Sequence, residues 1–262
     1  MAMKNLVILA VIVASHGLCT SLTAEEKPFK VFLLAGQSNM VGARSKVEEL
    51  PDELKDVTKD AEAWRWNKWV PLDPSKTQRR GFGPEISFSR RLSQHFGEPI
   101  GIIKLSVGGS SLAEDWSPDR PKSLYHVLLE QVRRAKKQRK IEIVGMLWMQ
   151  GGRDARFEPM AKAYAENLPK FIARLRKDLN RPDMIFIAGL AQGLPKKTFP
   201  HEPLVRQAQN ECQAPRYTVI STEGIKKGPD NMHFNTEGQV ELGRRFADAM
   251  ILMMKEDAAR QQ

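Results

Sequence analysis

The sequence predicts an α/β fold in which one parallel sheet of five strands is covered by helices on both faces. Three observations predict it: short and nearly unbroken apolar runs, longer helical patterns between them, and a first run that stops on Gly36-Gln37-Ser38-Asn39. Continuous hydrophobicity marks strands buried on both faces, as parallel strands are. Alternating strands and helices with right-handed crossovers place helices on both sides of such a sheet.

In chain order, Lys30–Ala35 reads as the first strand, Ile100–Leu105 as the second and Ile141–Met149 as the third. Met184–Leu190 and Tyr217–Ser221 complete the set. Glu85–Phe96 carries Ile86, Phe88, Leu92 and Phe96 at helical spacing, and Leu124–Lys137 carries Leu124, Val127, Leu128 and Val132. Pro159–Leu179 and Thr236–Lys255 are the remaining long helices, the last capped by Asn235 or Thr236. Residues 43–84 fit the alternation poorly and read as a long excursion near the active face. Their Trp64, Trp66 and Trp69 have two readings: aromatic faces for sugar rings, or anchors that pin the excursion to the body.

At 262 residues the chain suffices for one domain with a substantial core, and 41% apolar with 27% charged residues is an ordinary globular composition. Lys4, the apolar block Leu6–Ala14 and the small and polar residues up to Ala24 have the layout of a secretory signal peptide. Residues 1–24 are therefore expected to be removed, leaving 25–262 as a secreted or periplasmic domain with no stable membrane insertion. The alternative is an uncleaved anchor. Removal takes away Lys4 and no acidic residue, so the net charge falls by one, from +10 to +9. It also leaves Cys212 alone, which excludes an internal disulfide and a cysteine zinc site. The basic residues, as in Arg133–Lys140, are spread along helices and accompany no nucleic-acid motif, so nucleic acid is not expected as a partner. An acidic polysaccharide suits the charge better.

A hydroxyl on the turn after a buried strand lies at the carboxyl edge, where open α/β sheets present their reactive groups. Ser38 is that hydroxyl. Serine needs a base within hydrogen-bond reach, histidine is the usual one, and a carboxylate on its far nitrogen holds the tautomer. Asp230-Asn231-Met232-His233 supplies both just before the last helix. Ser106–Ser111, with Gly108-Gly109, follows the second strand, and Gln150-Gly151-Gly152 follows the third. The Ser38 and Gly109 N–H groups and the Gln150 amide are candidate oxyanion donors; a plain strand-to-helix turn is the other reading of Gly108-Gly109. Gln37, Asn39 and Arg153 are candidate substrate-binding residues.

Gly36–Met40, Gly109-Ser110-Ser111 followed by Trp116, Trp148–Gly151 and Asp230–Asn235 occur in the order found in the SGNH-hydrolase superfamily. More narrowly, the chain resembles sialate O-acetylesterase domains and carbohydrate esterase family 6, the acetyl xylan esterase relatives, from about Lys30 to Leu252. The resemblance implies a flavodoxin-like three-layer α/β/α sandwich, no metal or cofactor, and removal of O-acetyl groups from carbohydrate. It carries over Ser38 as nucleophile, His233 as base, Asp230 as its support, and Gly109 and Gln150 as oxyanion donors. Where relatives read Gln-Gly-Glu-x-Asp, this chain has Gln150-Gly151-Gly152-Arg153-Asp154. The lost acid loosens or changes support for the oxyanion site, and Arg153 is placed to favour acidic sugars. A non-catalytic carbohydrate-binding protein on the same scaffold is the alternative that this departure raises.

Overall fold

Burial alternates along the first strand, and that alternation sets the layers. In β1 (Phe29–Gly36), Val31, Leu33 and Ala35 enter one hydrophobic cluster while Phe32 and Leu34 enter another, because successive strand side chains point to opposite faces. The computed structural model describes residues 27–77 and 81–260. The expected leader, residues 1–24, lies outside the described residues.

After β1 come α1 (Ser38–Val41), α2 (Asp52–Lys55), β2 (Ala61–Arg65), β3 (Lys68–Pro71), α3 (Glu85–Phe96), β4 (Ile100–Ser106) and α4 (Leu124–Gln138). Then follow β5 (Ile141–Met149), α5 (Glu158–Leu179), β6 (Ile185–Gly189), α6 (Glu202–Asn210), β7 (Tyr217–Ile220) and α7 (Thr236–Arg260). The sheet order is β3-β2-β4-β1-β5-β6-β7. Apolar faces of α4, α5 and α6 pack on one side through residues such as Leu128, Phe171 and Val205. On the other, α3 and α7 contribute Phe88, Leu92, Phe246 and Met250. This is the expected three-layer arrangement. Among the described residues, no helix is long and apolar enough to cross a membrane.

The five expected strands are present and parallel, but the sheet has seven. The expectation of a five-stranded sheet is corrected by a hairpin inside the 43–84 excursion. There β2 runs parallel beside β4, and β3 returns antiparallel. Ala61-Glu62-Ala63 is poor in the residues that favour strands, so propensity conceals β2. Both turn residues, Trp66 (φ 50°) and Asn67 (φ 57°), are left-handed, as a two-residue hairpin turn requires, yet the glycine that usually announces it is missing. Trp64 and Trp69 face each other across the hairpin, edge to face at 5.4 Å, and Trp69 packs on Phe29. They pin the hairpin to the body. Trp66 is exposed at the tip, where Asn67 is tied to Arg134 and Gln138 of α4.

Gly36 pairs with Ser106 on one side and Met149 on the other, so the chain leaves all three strands at one level. A Cβ on Gly36 would lie 2.1 Å from the Met149 carbonyl oxygen. Glycine alone permits this approach, which lets the Gln37 N–H donate to that oxygen at 2.9 Å. The segments after β1, β4 and β5 thus emerge side by side. At the start of α7, Asn235 is the cap, its Oδ1 accepting from the Gly238 N–H at 2.9 Å, while the Thr236 hydroxyl accepts from the Lys46 N–H.

Candidate active site

Ser38, at the head of α1, meets the loop before α7. His233 Nε2 lies 2.8 Å from Ser38 Oγ, and His233 Nδ1 lies 2.9 Å from Asp230 Oδ2. The three residues expected to converge do converge. The loop is shaped by its own carboxylate: Asp230 Oδ1 accepts the N–H groups of Met232 at 3.1 Å and His233 at 2.9 Å. Asp230 Oδ2 is shared, since Arg44 Nε donates to it at 2.8 Å. Burial alone would raise the Asp230 carboxyl. Hydrogen bonds from the backbone and ring of His233, from Arg44 and from the Met232 N–H outweigh it and hold the group well below the ordinary carboxylate range.

Asn39, expected to bind substrate, is buried and does something else. Its amide donates to the Met232 carbonyl at 3.2 Å and its oxygen accepts from the Phe234 N–H at 3.0 Å. It fastens the serine turn to the histidine loop, and both polar atoms of its side chain are engaged there. The reason is local: Asn39 follows Ser38 into the helical turn and faces the body of the protein.

The cavity in front of Ser38, about 350 Å³, is lined by Gln37, Ser38, Gly108, Gly109 and His233, with Arg153, Arg156, Phe199 and Met232 on its rim and walls. No tryptophan lines it among the described residues. Gly109 lies in the left-handed region at φ 72°, and neither its N–H nor that of Ser38 has an acceptor within the described protein. Two of the expected oxyanion donors therefore stand free in the cavity wall.

Gln150 does not. It is 1% exposed and lies behind the cavity. Its Nε2 donates to Asp154 Oδ2 at 2.6 Å and to the Ser110 carbonyl at 3.0 Å, and its Oε1 accepts from the Tyr164 hydroxyl at 3.0 Å. A primary amide has two N–H bonds, and both are engaged. The expectation that Gln150 donates to the oxyanion is corrected here: a buried amide must satisfy its hydrogens, and a buried carboxylate lies next to it. Asp154 also accepts from the N–H groups of Leu112 at 2.9 Å and Ala113 at 3.1 Å. Burial pushes its carboxyl up, against the pull of these donors. It ties the loop after β4 to the loop after β5.

Gln37 is half-buried in the cavity wall. Its Oε1 accepts from the Arg153 N–H at 3.2 Å and from the Gly151 N–H at 3.4 Å, and lies 3.4 Å from Gln150 Nε2. Arg153 lines the cavity with its guanidinium 4.8 Å from the Phe157 ring centre. Arg156, which sequence reasoning passed over, stands opposite Phe199 in the same way at 5.1 Å. Neither arginine has a carboxylate partner among the described residues. Arg44 and Asp154 were also missed. The i, i+3 spacing of Arg153 and Arg156 was the available signal for one of them. No cluster of three or more His, Cys, Asp or Glu side chains among the described residues could hold a metal.

A family model described as carbohydrate esterase, sialic acid-specific acetylesterase, matches residues 28–252. A probable carbohydrate esterase of Arabidopsis thaliana is 28% identical over 249 residues, covering 86% of this chain and 91% of that protein. The X-ray structure of the Arabidopsis thaliana protein is similar with a TM-score of 0.74 at 24% identity, covering 86% of this chain and 98% of that one. The crystal structure of NanS is similar with a TM-score of 0.68 at 18% identity, covering 87% and 98% of the two chains. A carbohydrate acetylesterase from Xanthomonas citri gives a TM-score of 0.63 at 18% identity, covering 84% of this chain and 55% of that one. These structural likenesses concern the fold.

Proposed function

Because the chain belongs to the carbohydrate esterase, sialic acid-specific acetylesterase family, we propose that it is a secreted serine esterase that removes O-acetyl groups from carbohydrate through an acetyl-Ser38 intermediate. One observation carries the reading: Ser38 Oγ, His233 and Asp230 form a continuous hydrogen-bonded line at 2.8 and 2.9 Å. Ser38 Oγ attacks the acetyl carbonyl as His233 Nε2 takes its proton. Asp230 holds the other ring nitrogen and stabilises the imidazolium. The carbonyl oxygen becomes an oxyanion against the free N–H groups of Ser38 and Gly109. Collapse expels the sugar oxygen, which takes the proton from His233. Water, activated by the same ring, then releases acetate from Ser38.

Arg153 and Arg156 support an acidic substrate. Two guanidinium groups without carboxylate partners border the cavity, and arginine suits paired contacts with a carboxylate or sulfate. Acetylated polysaccharides bearing uronic acids and sialic-acid-type sugars both meet that description.

The test is p-nitrophenyl acetate hydrolysis by wild type and Ser38→Ala. Turnover is expected in the first alone, with one acetyl group added to the intact mass of Ser38-containing protein in quenched reactions. A wild type that retains acetylated glycan but releases no acetate would leave the carbohydrate-binding reading in its place. For the acidic substrate, Arg153→Ala should lose activity on uronic-acid-bearing acetylated glycans more than on neutral ones; equal losses would remove that part. Secretion is tested by N-terminal sequencing of exported protein, expected to begin at Glu25.

A further inference from the structure

We propose that the protein has a second saccharide site, a cleft between β2 and β4 that takes one carboxylate-bearing sugar ring. The choice of a sugar rests on the carbohydrate reading above, whereas the choice of a carboxylate rests on the cleft alone. The ladder between the two strands ends where Ala63 meets Ile102, yet β2 continues to Arg65 and β4 to Ser106. Beyond that point β2 stays with β3, pairing Arg65 with Lys68, and β4 stays with β1, pairing Ser106 with Gly36. The strands therefore part, and a cavity of about 220 Å³ opens between their carboxyl ends, the end at which open α/β sheets bind ligands. Drug-sized pockets begin at about 300 Å³, so this one suits a single ring.

Ala63, Leu72 and Ile102 give the cleft an apolar floor. Strand alternation carries Arg65 and Lys104 onto the same face just where that floor ends. Glu85 is the one carboxylate among the described lining residues, and both its oxygens are taken. Oε1 accepts from the Gly83 N–H at 3.0 Å and Oε2 from Lys104 Nζ at 2.6 Å. Arg65 donates to the Thr77 carbonyl at 3.2 Å and has no carboxylate within salt-bridge reach among the described residues. Most of its N–H bonds remain. The Ser106 hydroxyl also has no hydrogen-bond partner there. The cleft thus keeps one net positive charge and a set of unspent donors, which a carboxylate, accepting at both oxygens, complements. Burial pulls the pKa of both cations down, against Glu85, so a bound anion strengthens their charged forms. A pyranose suits the rest, with an apolar face on the floor and hydroxyls toward Thr77 and Ser106.

The cleft and the catalytic cavity are neighbours. Val41 and Ser106 line the first, while Ser38 and Gly108, on the same two segments, line the second. Two sources offer the same chemistry: the ring next to an acetylated residue held at Ser38, and a free acidic monosaccharide.

Calorimetric titration of the full chain with D-glucuronate tests the site, in an Arg153→Ala, Arg156→Ala background that removes the cations of the catalytic cavity. Glucuronate should bind once per chain, with D-glucose and benzoate each at least about tenfold weaker. Adding Arg65→Gln, which keeps a donor for the Thr77 carbonyl but removes the charge, should weaken glucuronate about tenfold or more at an unchanged melting temperature. Ser106→Ala, which breaks no hydrogen bond among the described residues, should weaken it about threefold and gives the reading if Arg65→Gln is unstable. Absent binding, affinity unmoved by either substitution, or glucose or benzoate binding as tightly as glucuronate would overturn the proposal. A uronic-acid tetrasaccharide, titrated with Arg153 and Arg156 intact, separates the sources. A gain of about tenfold over the monosaccharide that Arg65→Gln abolishes assigns the cleft to a neighbouring ring; equal affinity assigns it to a free monosaccharide. None of these titrations needs turnover, so a wild type that fails to hydrolyse p-nitrophenyl acetate counts against the esterase reading and not against this site.

Discussion

The front and back walls of the site are built from similar residues under opposite rules. In the back wall, Gln150, Asp154, Tyr164 and Trp148 satisfy one another: the Trp148 indole donates to Tyr164 at 3.2 Å, Tyr164 to Gln150, and Gln150 to Asp154. All four are buried. In the front wall, the Ser38 and Gly109 N–H groups and Gln37 Nε2 have no acceptor among the described residues. A buried network with every member paired fixes geometry, whereas donors left free can bind a charge that exists only during the reaction. Under the proposed mechanism the back wall supplies rigidity and the front wall supplies the donors. The two glutamines, on either side of this boundary, make the contrast sharp.

Substitutions should divide along the same line. His233→Ala has the largest expected effect on rate, a loss of about 10⁴-fold or more in kcat, with little change in melting temperature. Asp154→Ala has the largest expected effect on stability. It leaves the N–H groups of Leu112 and Ala113 and the Gln150 amide without their acceptor, which costs about 3 kcal/mol or more. For a domain of this size that lowers the melting temperature by roughly 6–12 °C, readable by calorimetry. An Asp154→Ala protein as stable as wild type would erase the distinction between the two walls.

Asn39 sits where the walls meet the histidine loop, and it distinguishes clamping from substrate contact. Asn39→Ala should lower stability by about 1–2 kcal/mol. It should also reduce kcat by roughly tenfold, because His233 is then less well held against Ser38. KM for a small acetate ester should not move. A raised KM with unchanged stability would restore Asn39 as a substrate-binding residue.

Much of this was legible in the residues. The five parallel strands follow from apolar runs such as Ile141–Met149, and α3 matches its expected Glu85–Phe96 bounds. Ser38, Asp230 and His233 were found because strand ends and a loop before a last helix share one sheet edge. What escaped was direction. Nothing in Gln150-Gly151-Gly152 says whether the amide faces the cavity or the interior, because that depends on Asp154, Tyr164 and the Ser110 carbonyl across the sheet edge. The hairpin escaped because Ala61 and Ala63 become strand residues only by packing, with Trp64 and Trp69 holding the register. Arg44 escaped because its partner lies 186 positions away.

Arg44 offers the smallest effect and the one with a defined sign. Its Nε shares Asp230 Oδ2 with His233 Nδ1, but its side chain is 56% exposed, so solvent screens the pair. Arg44→Gln should cost less than about 1 kcal/mol near neutral pH and change kcat by no more than about threefold, with the difference shrinking in high salt. Asp230 is held below its unfolded-state pKa by hydrogen bonds that include the one from Arg44. Stability from a depressed carboxyl is fully present above the unfolded value, about 4, and is lost as pH falls through the folded value. The stability gap between wild type and Arg44→Gln, measured by urea unfolding, should therefore be flat from about pH 5 to 7 and close on acidification below about pH 4. A gap that widened on acidification would mean that Arg44 acts through some group other than Asp230.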